Sequence, residues 1–182
     1  MRTDQDPGRV GYDLAGSTQL LRDGTVIGES DVGGGGQFTV GPERAAYTLR
    51  STVDPADAGL STHISAEWTF TSEHTADLVA IPLLAVRFAP DLDNDNTAPA
   101  GIRFTIPIYV QRNGADTPGT VGVPTVEVSY DDGTTWTRAR VTASTATVNH
   151  PRDAEYVSLR SHITDREGNS QRQTIIRAYA LT

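Results

Sequence analysis

The sequence predicts an all-β protein, and three observations carry that expectation. Apolar and polar residues alternate with period two along much of the chain, and no window shows the i, i+3, i+4, i+7 spacing of an amphipathic helix. Val, Ile, Thr and Tyr are plentiful, and these residue types fit a pleated, half-buried surface. The 17 Gly and 10 Pro supply turn positions throughout. At 182 residues the chain has room for two β-modules of ordinary size. Its formal charge divides unevenly, net −7 over residues 1–80 and net −1 over residues 81–182. The expectation is therefore two tandem antiparallel β-sandwich modules, residues 1–78 and 79–182, the second of them immunoglobulin-like or fibronectin-III-like.

In chain order, the polar lead from Arg2 to Gly8 reads as the start of a fragment cut from a longer protein. Ser17 to Arg22 and Thr25 to Glu29 flank Asp23-Gly24, a pair suited to the positive φ angles of a type I′ turn, which predicts a hairpin. Gly33 to Gly36 read as a flexible connector. Gln37 to Val40 and Ala45 to Thr52 follow as strands around a turn at Pro42. Between Ser61 and Phe70, the side chains of Ile64, Ala66, Trp68 and Phe70 share one face while His63, Ser65, Glu67 and Thr69 share the other. After a polar break at Glu73 to Asp77, Leu83 to Phe88 opens the second module, and residues 89–101 form a polar loop. Ile102, Phe104, Ile106, Ile108 and Val110 alternate most cleanly, and Pro107, which has no N–H to donate, predicts an edge position or a bulge. Val126, Val128 and Tyr130, then Thr135 to Val141, Thr145 to Asn149, Tyr156 to Thr164 and Gln171 to Ala180 complete about seven strands, with turn signals every 8–12 residues. Leu181-Thr182 reads as a natural C-terminus.

Composition narrows the function classes. All 15 basic residues are Arg, and with 23 acids and a pI near 4.8 the surface repels phosphate, which argues against nucleic acid as a partner. Without cysteine the chain has no disulfide, no zinc-thiolate site and no thiol nucleophile. No run approaches the roughly 20 apolar residues of a membrane span. A Lys-free, Thr-rich, acidic composition suits an exported protein, although the lack of cysteine suits a cytosolic one equally well.

The most specific motif is Ser129-Tyr-Asp131-Asp-Gly133-Thr-Thr135-Trp136, which matches the Asp-box pattern S-x-D-x-G-x-T-W. In it Asp131 can accept hydrogen bonds from turn amides, Gly133 can supply unusual backbone angles and Trp136 can cover the hairpin, a structural role. Sialidase propellers repeat the box, whereas this chain carries it once. Asp91, Asp93 and Asp95 alternate in a loop like the opening of a calcium site. The EF-hand pattern, however, places Gly where Asn96 stands and Glu where Ile102 stands, and the loop alone supplies too few oxygens. Calcium there, with help from Asp131, Asp132 or Asp165, stands against a plain solvated acidic turn. Asp165 to Asn169 reads as a hairpin turn. His63, His74, His150 and His162 show no ligand spacing and read as exposed or half-exposed. No nucleophile elbow frames a serine, so no catalytic residue is assigned and no cofactor beyond that calcium is expected. Paired carboxylates of a glycosidase would meet only in space.

Four stretches, in order and spacing, carry a family resemblance: Leu60 to Phe70, Val86 to Gly101, Val126 to Trp136, and Val157 through Asn169 to Tyr179. Together they resemble the C-terminal non-catalytic region of large secreted subtilisin-like serine proteases of actinobacteria. The family's G-T-S-M-A-x-P and H-G-T motifs are absent from this sequence, so no triad residue carries over. The resemblance implies an extracellular, non-enzymatic accessory region that stabilises, spaces or targets an upstream peptidase domain. The partners it implies are that domain, the cell envelope or a substrate. The alternative is a carbohydrate- or envelope-binding module, which would show Trp136 and Tyr130 facing solvent in one patch and would take polysaccharide as its ligand.

Overall fold

The computed structural model describes residues 14–55 and 58–182, and the polar lead Arg2 to Gly8 lies outside them. The described residues form no helix and thirteen strands: β1 (Leu14–Arg22), β2 (Thr25–Ser30), β3 (Ala45–Pro55), β4 (His63–Ser72), β5 (Leu84–Phe88), β6 (Thr97–Ala98), β7 (Arg103–Arg112), β8 (Thr125–Ser129), β9 (Thr137–Arg138), β10 (Arg140–Thr142), β11 (Thr145–Asn149), β12 (Tyr156–Thr164) and β13 (Ser170–Leu181). One sheet runs β2-β1-β3-β4-β13-β12-β8-β9, with the short β6 lying parallel along β13. The second runs β10-β11-β7-β5. Apart from β6 the strand pairings are antiparallel, and the sheets do not close into a barrel.

The larger apolar cluster draws on both sheets. Leu84, Val86, Ile106, Ile108 and Val148 from the smaller sheet meet Val126, Val128, Val157, Leu159, Ile163 and Tyr179 from the larger. Burying a side chain of this size contributes about 1.5–3 kcal/mol. A second, smaller cluster of Leu20, Tyr47 and Phe70, with Phe38, Leu49, Trp68 and Leu83 packed against it, sits on β1, β3 and β4. The buried members of the two clusters fall on either side of residue 78, but Leu83 from beyond it packs against the smaller cluster and one sheet serves both. Strand β4 pairs along β13, from Thr69 opposite Ser170 to His63 opposite Ile176. Trp68 adds a tie between the sheets, its Nε1 donating to the Leu84 carbonyl at 2.7 Å.

Several elements form as their residues predict. Asp23 and Gly24 take φ of 52° and 79° and join β1 to β2, with a register shift between Leu20 and Leu21. On β4, Trp68, Ala66 and Ile64 pair with Gln171, Gln173 and Ile175 on one face, while Glu67 and Ser65 pair with Arg172 and Thr174 on the other.

Other elements differ from the sequence reading, each for a physical reason. Gln37 to Val40 is not a strand. The segment from Val32 to Val40 lies as a strap over the face of β1 and β3, held where Thr18 Oγ1 donates to the Val32 carbonyl and Gly34 N donates to Ser51 Oγ. The glycine tract is thus tied to the sheet rather than a free connector. Pro107 is not on an edge, because β7 lies between β11 and β5. Its pairing with β5 begins at Ile108, opposite Phe88; just past the end of β5 the Pro107 carbonyl still accepts from Ala89 N at 3.0 Å, and the proline leaves only the reciprocal bond unmade. Thr135 to Val141 breaks into two strands at the buried Ala139, whose N–H donates to Val126 O. On one side of it β9 pairs with β8, and on the other β10 pairs with β11 in the second sheet. The loop at 89–101 contributes β6 to the larger sheet.

Candidate functional site

The Asp-box residues close the turn between β8 and β9. Ser129 Oγ donates to Asp131 Oδ1 at 2.6 Å and accepts from Gly133 N at 2.9 Å. Asp131 also accepts from Thr135, at 2.8 Å from the amide and 2.6 Å from the hydroxyl. Asp132 and Gly133 both have positive φ, which suits the glycine. Trp136 Nε1 donates to the Gly133 carbonyl at 2.9 Å. The Ser129 and Thr135 bonds hold the Asp131 carboxyl down to about 2, so it is a carboxylate that is saturated by its own turn.

The same device recurs twice. Asp93 accepts from Asp95 N, Thr97 N and Thr97 Oγ1 at 3.0, 2.8 and 2.7 Å. Asp165 accepts from Glu167 N, Asn169 N and Asn169 Nδ2 at 2.9, 2.9 and 2.8 Å. In both, the first residue's N–H bonds the carbonyl four residues on, and the fourth residue, Asn96 or Gly168, has positive φ. The shared signal is an Asp followed four residues later by Thr or Asn, a spacing that the sequence reading did not single out. The Thr97 hydroxyl and then its amide lower the Asp93 pKa. Asp91, Asp93 and Asp95 do not converge, and no group of three or more His, Cys, Asp or Glu side chains among the described residues is disposed to hold a metal. Of the acids considered as helpers, Asp132 is bound through both oxygens by Arg177, at 2.9 and 2.6 Å. Asp165 is engaged by Arg112 at 2.8 Å. Burial pushes the Asp165 carboxyl up, but the bonds from Asn169 and Arg112 outweigh it and its pKa is lowered.

His150 is buried, at 3% exposure, which corrects the expectation of an exposed imidazole. Its Nδ1 lies 3.1 Å from the Tyr130 hydroxyl and its Nε2 lies 3.3 Å from that of Tyr179, while Phe104 packs on the ring with centroids 5.1 Å apart. Burial pulls its pKa down to about 4 and pushes Tyr130 up to about 12 and Tyr179 up further. A neutral imidazole between two phenols satisfies the polar groups of an otherwise apolar core. His63, by contrast, is on the open face beside Asp54 at 2.6 Å.

Two further places could meet a partner. Beneath the strap lies a cleft of about 400 Å³ lined by Leu20, Phe38, Tyr47, Leu49, Phe70 and Ile81, among others, where the buried Tyr47 hydroxyl has no hydrogen-bond partner among the described residues. On the other face of the large sheet, Glu127 accepts from Arg160 Nε at 2.6 Å, with Arg138 and Arg172 also near enough to stabilise its charge. Arg160 lies 4.6 Å over the Trp136 ring and Arg177 4.4 Å over that of Tyr156. No helix of the described residues is long and apolar enough to cross a membrane. The chain matches no family model and no curated protein.

Proposed function

We propose that this chain is a non-catalytic accessory region whose two sheets form a sandwich, immunoglobulin-like in its second part, and whose role is interaction with an upstream peptidase domain, which it stabilises, spaces or targets. One observation carries the reading. The side chains that sequence patterns offered for chemistry are engaged by their own scaffold: Asp93, Asp131 and Asp165 by their turns, Asp132 by Arg177, and His150 by two tyrosines. Groups so saturated hold loops in place and have little capacity left for a reacting atom. The resemblance to the C-terminal regions of secreted subtilisin-like proteases supplies the setting: an extracellular chain with an upstream peptidase domain as its partner.

The carbohydrate-binding alternative has less support. Tyr130 is half-buried, with its hydroxyl on the Asn149 carbonyl and His150, and Arg160 covers Trp136, so these rings do not form a shared flat platform.

The test is to add the purified chain in trans to a subtilisin-like catalytic domain. The expected result is a longer half-life of the peptidase at elevated temperature with unchanged kcat/KM on a short peptide, and no hydrolysis by the chain alone. Peptide or ester hydrolysis by the chain, or a peptidase half-life indifferent to it, would sink the proposal.

A further inference from the structure

The outward face of β13, β12, β8 and β9 departs from the charge of the whole chain. Strand register sets Arg160, Glu127 and Arg138 side by side across β12, β8 and β9. Arg172 stands one row away, between His162 on β12 and Glu67 on β4, and the Glu67 carboxylate is bound by Arg50 at 2.6 Å. The guanidiniums of Arg50, Arg138, Arg160 and Arg172 thus stand with the two carboxylates of Glu67 and Glu127 in a protein of net charge −8. Glu127 is bound by Arg160, whereas Arg138 and Arg172 make no ion pair or side-chain hydrogen bond among the described residues. At physiological ionic strength charges beyond about 8 Å are largely screened, so an approaching group feels this local surplus rather than the net charge.

Next to these arginines the face carries aromatic rings and a shaped backbone. Trp136 packs beside Gly133 and Ile176, and Tyr156 lies under Arg177. Arg177 has φ of 54°, uncommon for a residue other than glycine, and in that conformation its N–H bonds Ser158 Oγ while its guanidinium clamps Asp132. Arg, Trp and Tyr are the residues enriched where proteins bind proteins. A guanidinium stacks on each ring and occupies one of its faces.

We propose that this face is a docking surface for an acidic segment of a partner polypeptide, with Arg138 and Arg172 as its carboxylate-binding groups. Each guanidinium can receive a carboxylate through two parallel N–H bonds, a geometry that lysine does not offer. The inference rests on the interaction role proposed above and names its surface. The two fail separately, since peptide binding and peptidase half-life are independent readouts.

The experiment measures the anisotropy of a fluorescein-labelled Asp/Glu peptide and of its Asn/Gln isostere with the full chain, at low and at physiological salt. The acidic peptide is expected to bind roughly tenfold tighter than the isostere, with a preference that shrinks as salt rises. The Arg138→Gln, Arg172→Gln double variant should lose the preference while its thermal midpoint stays unchanged. If that variant does not fold, Glu127→Gln serves instead, because removing the competing carboxylate should tighten the acidic peptide. Equal binding of the isostere, an acidic preference that survives in the double variant, or no tightening in Glu127→Gln would overturn the proposal. So would Arg-dependent binding of polygalacturonate without binding of the acidic peptide, which would make the face a glycan surface.

Discussion

Gly133 shows how a single atom is constrained at the residue scale. Its φ is 86°, and a Cβ built there would stand 2.8 Å from Ile176 Cδ1. Gly133→Ala is therefore expected to cost about 1–3 kcal/mol through backbone strain and the displaced Ile176, read as a lower urea midpoint at unchanged m. A midpoint equal to the parent's would mean that the turn relaxes freely. His150 makes a prediction about acid. Above its ordinary pKa of 6.5 the imidazole is neutral whether the chain is folded or unfolded. Between that value and about 4 only the unfolded chain takes up the proton, so stability falls as pH drops through this window, by about 3 kcal/mol in total. Asp131 acts lower down. Its folded pKa of about 2 lies beneath the ordinary 3.8, so its contribution is lost only as pH falls through that lower window. Urea titrations of the parent and of His150→Phe should therefore differ in slope against pH between 6.5 and 4 and run parallel between 7 and 8. Parallel curves throughout would show that the buried imidazole titrates normally.

At the scale of elements, the Arg112–Asp165 pair fastens a loop to a hairpin. Arg112 ends β7, donates from Nε to the Pro118 carbonyl at 3.0 Å and reaches Asp165, whose side chain is wholly buried at the start of the β12–β13 turn. Val121 bridges to Asp165, and Gly122 N bonds the Thr164 carbonyl, so residues 113–122 are drawn along that hairpin. Removing one partner of such a pair leaves a buried charge uncompensated. Arg112→Ala is expected to cost about 3 kcal/mol, with faster amide exchange confined first to residues 113–122 and 165–169. Exchange that rises uniformly over the chain would refute the local role. The turns themselves were largely legible in the sequence, because a positive-φ residue and a capping Asp are local requirements. Asp23-Gly24 and the Asp box declare themselves within a few residues. The division of Thr135 to Val141 between two sheets was not legible, since period-two alternation continues across Ala139 and only the neighbours, β8 on one side and β11 on the other, separate the halves.

For the whole molecule, what the sequence could not supply is pairing between distant segments. Alternation placed β4 and β13 as strands, but that Ser65 faces Thr174 depends on residues more than 100 positions apart. His150 was misjudged for the same reason, because its partners Tyr130 and Tyr179 are 20 and 29 positions away. The β4–β13 ladder bears on how the chain unfolds. Trp68 reports on the first half and Trp136 on the second, and these are the chain's two tryptophans. In urea, the single remaining tryptophan of Trp136→Phe and that of Trp68→Phe are each expected to give a fluorescence transition that coincides with the far-UV circular dichroism of the same variant, because one sheet joins the halves. A fluorescence midpoint that departs from the circular dichroism of the same variant would mean that residues before and after 78 unfold as independent units. The position of β13 also has a mechanical meaning. It is the last strand of the chain, yet it lies in the interior of the large sheet, zipped to β4 on one side and β12 on the other. Tension applied along its axis must shear both ladders at once, whereas pulling on β2 at the sheet's edge can unzip a single ladder bond by bond. A pull along β13 is therefore resisted more strongly than one applied at β2.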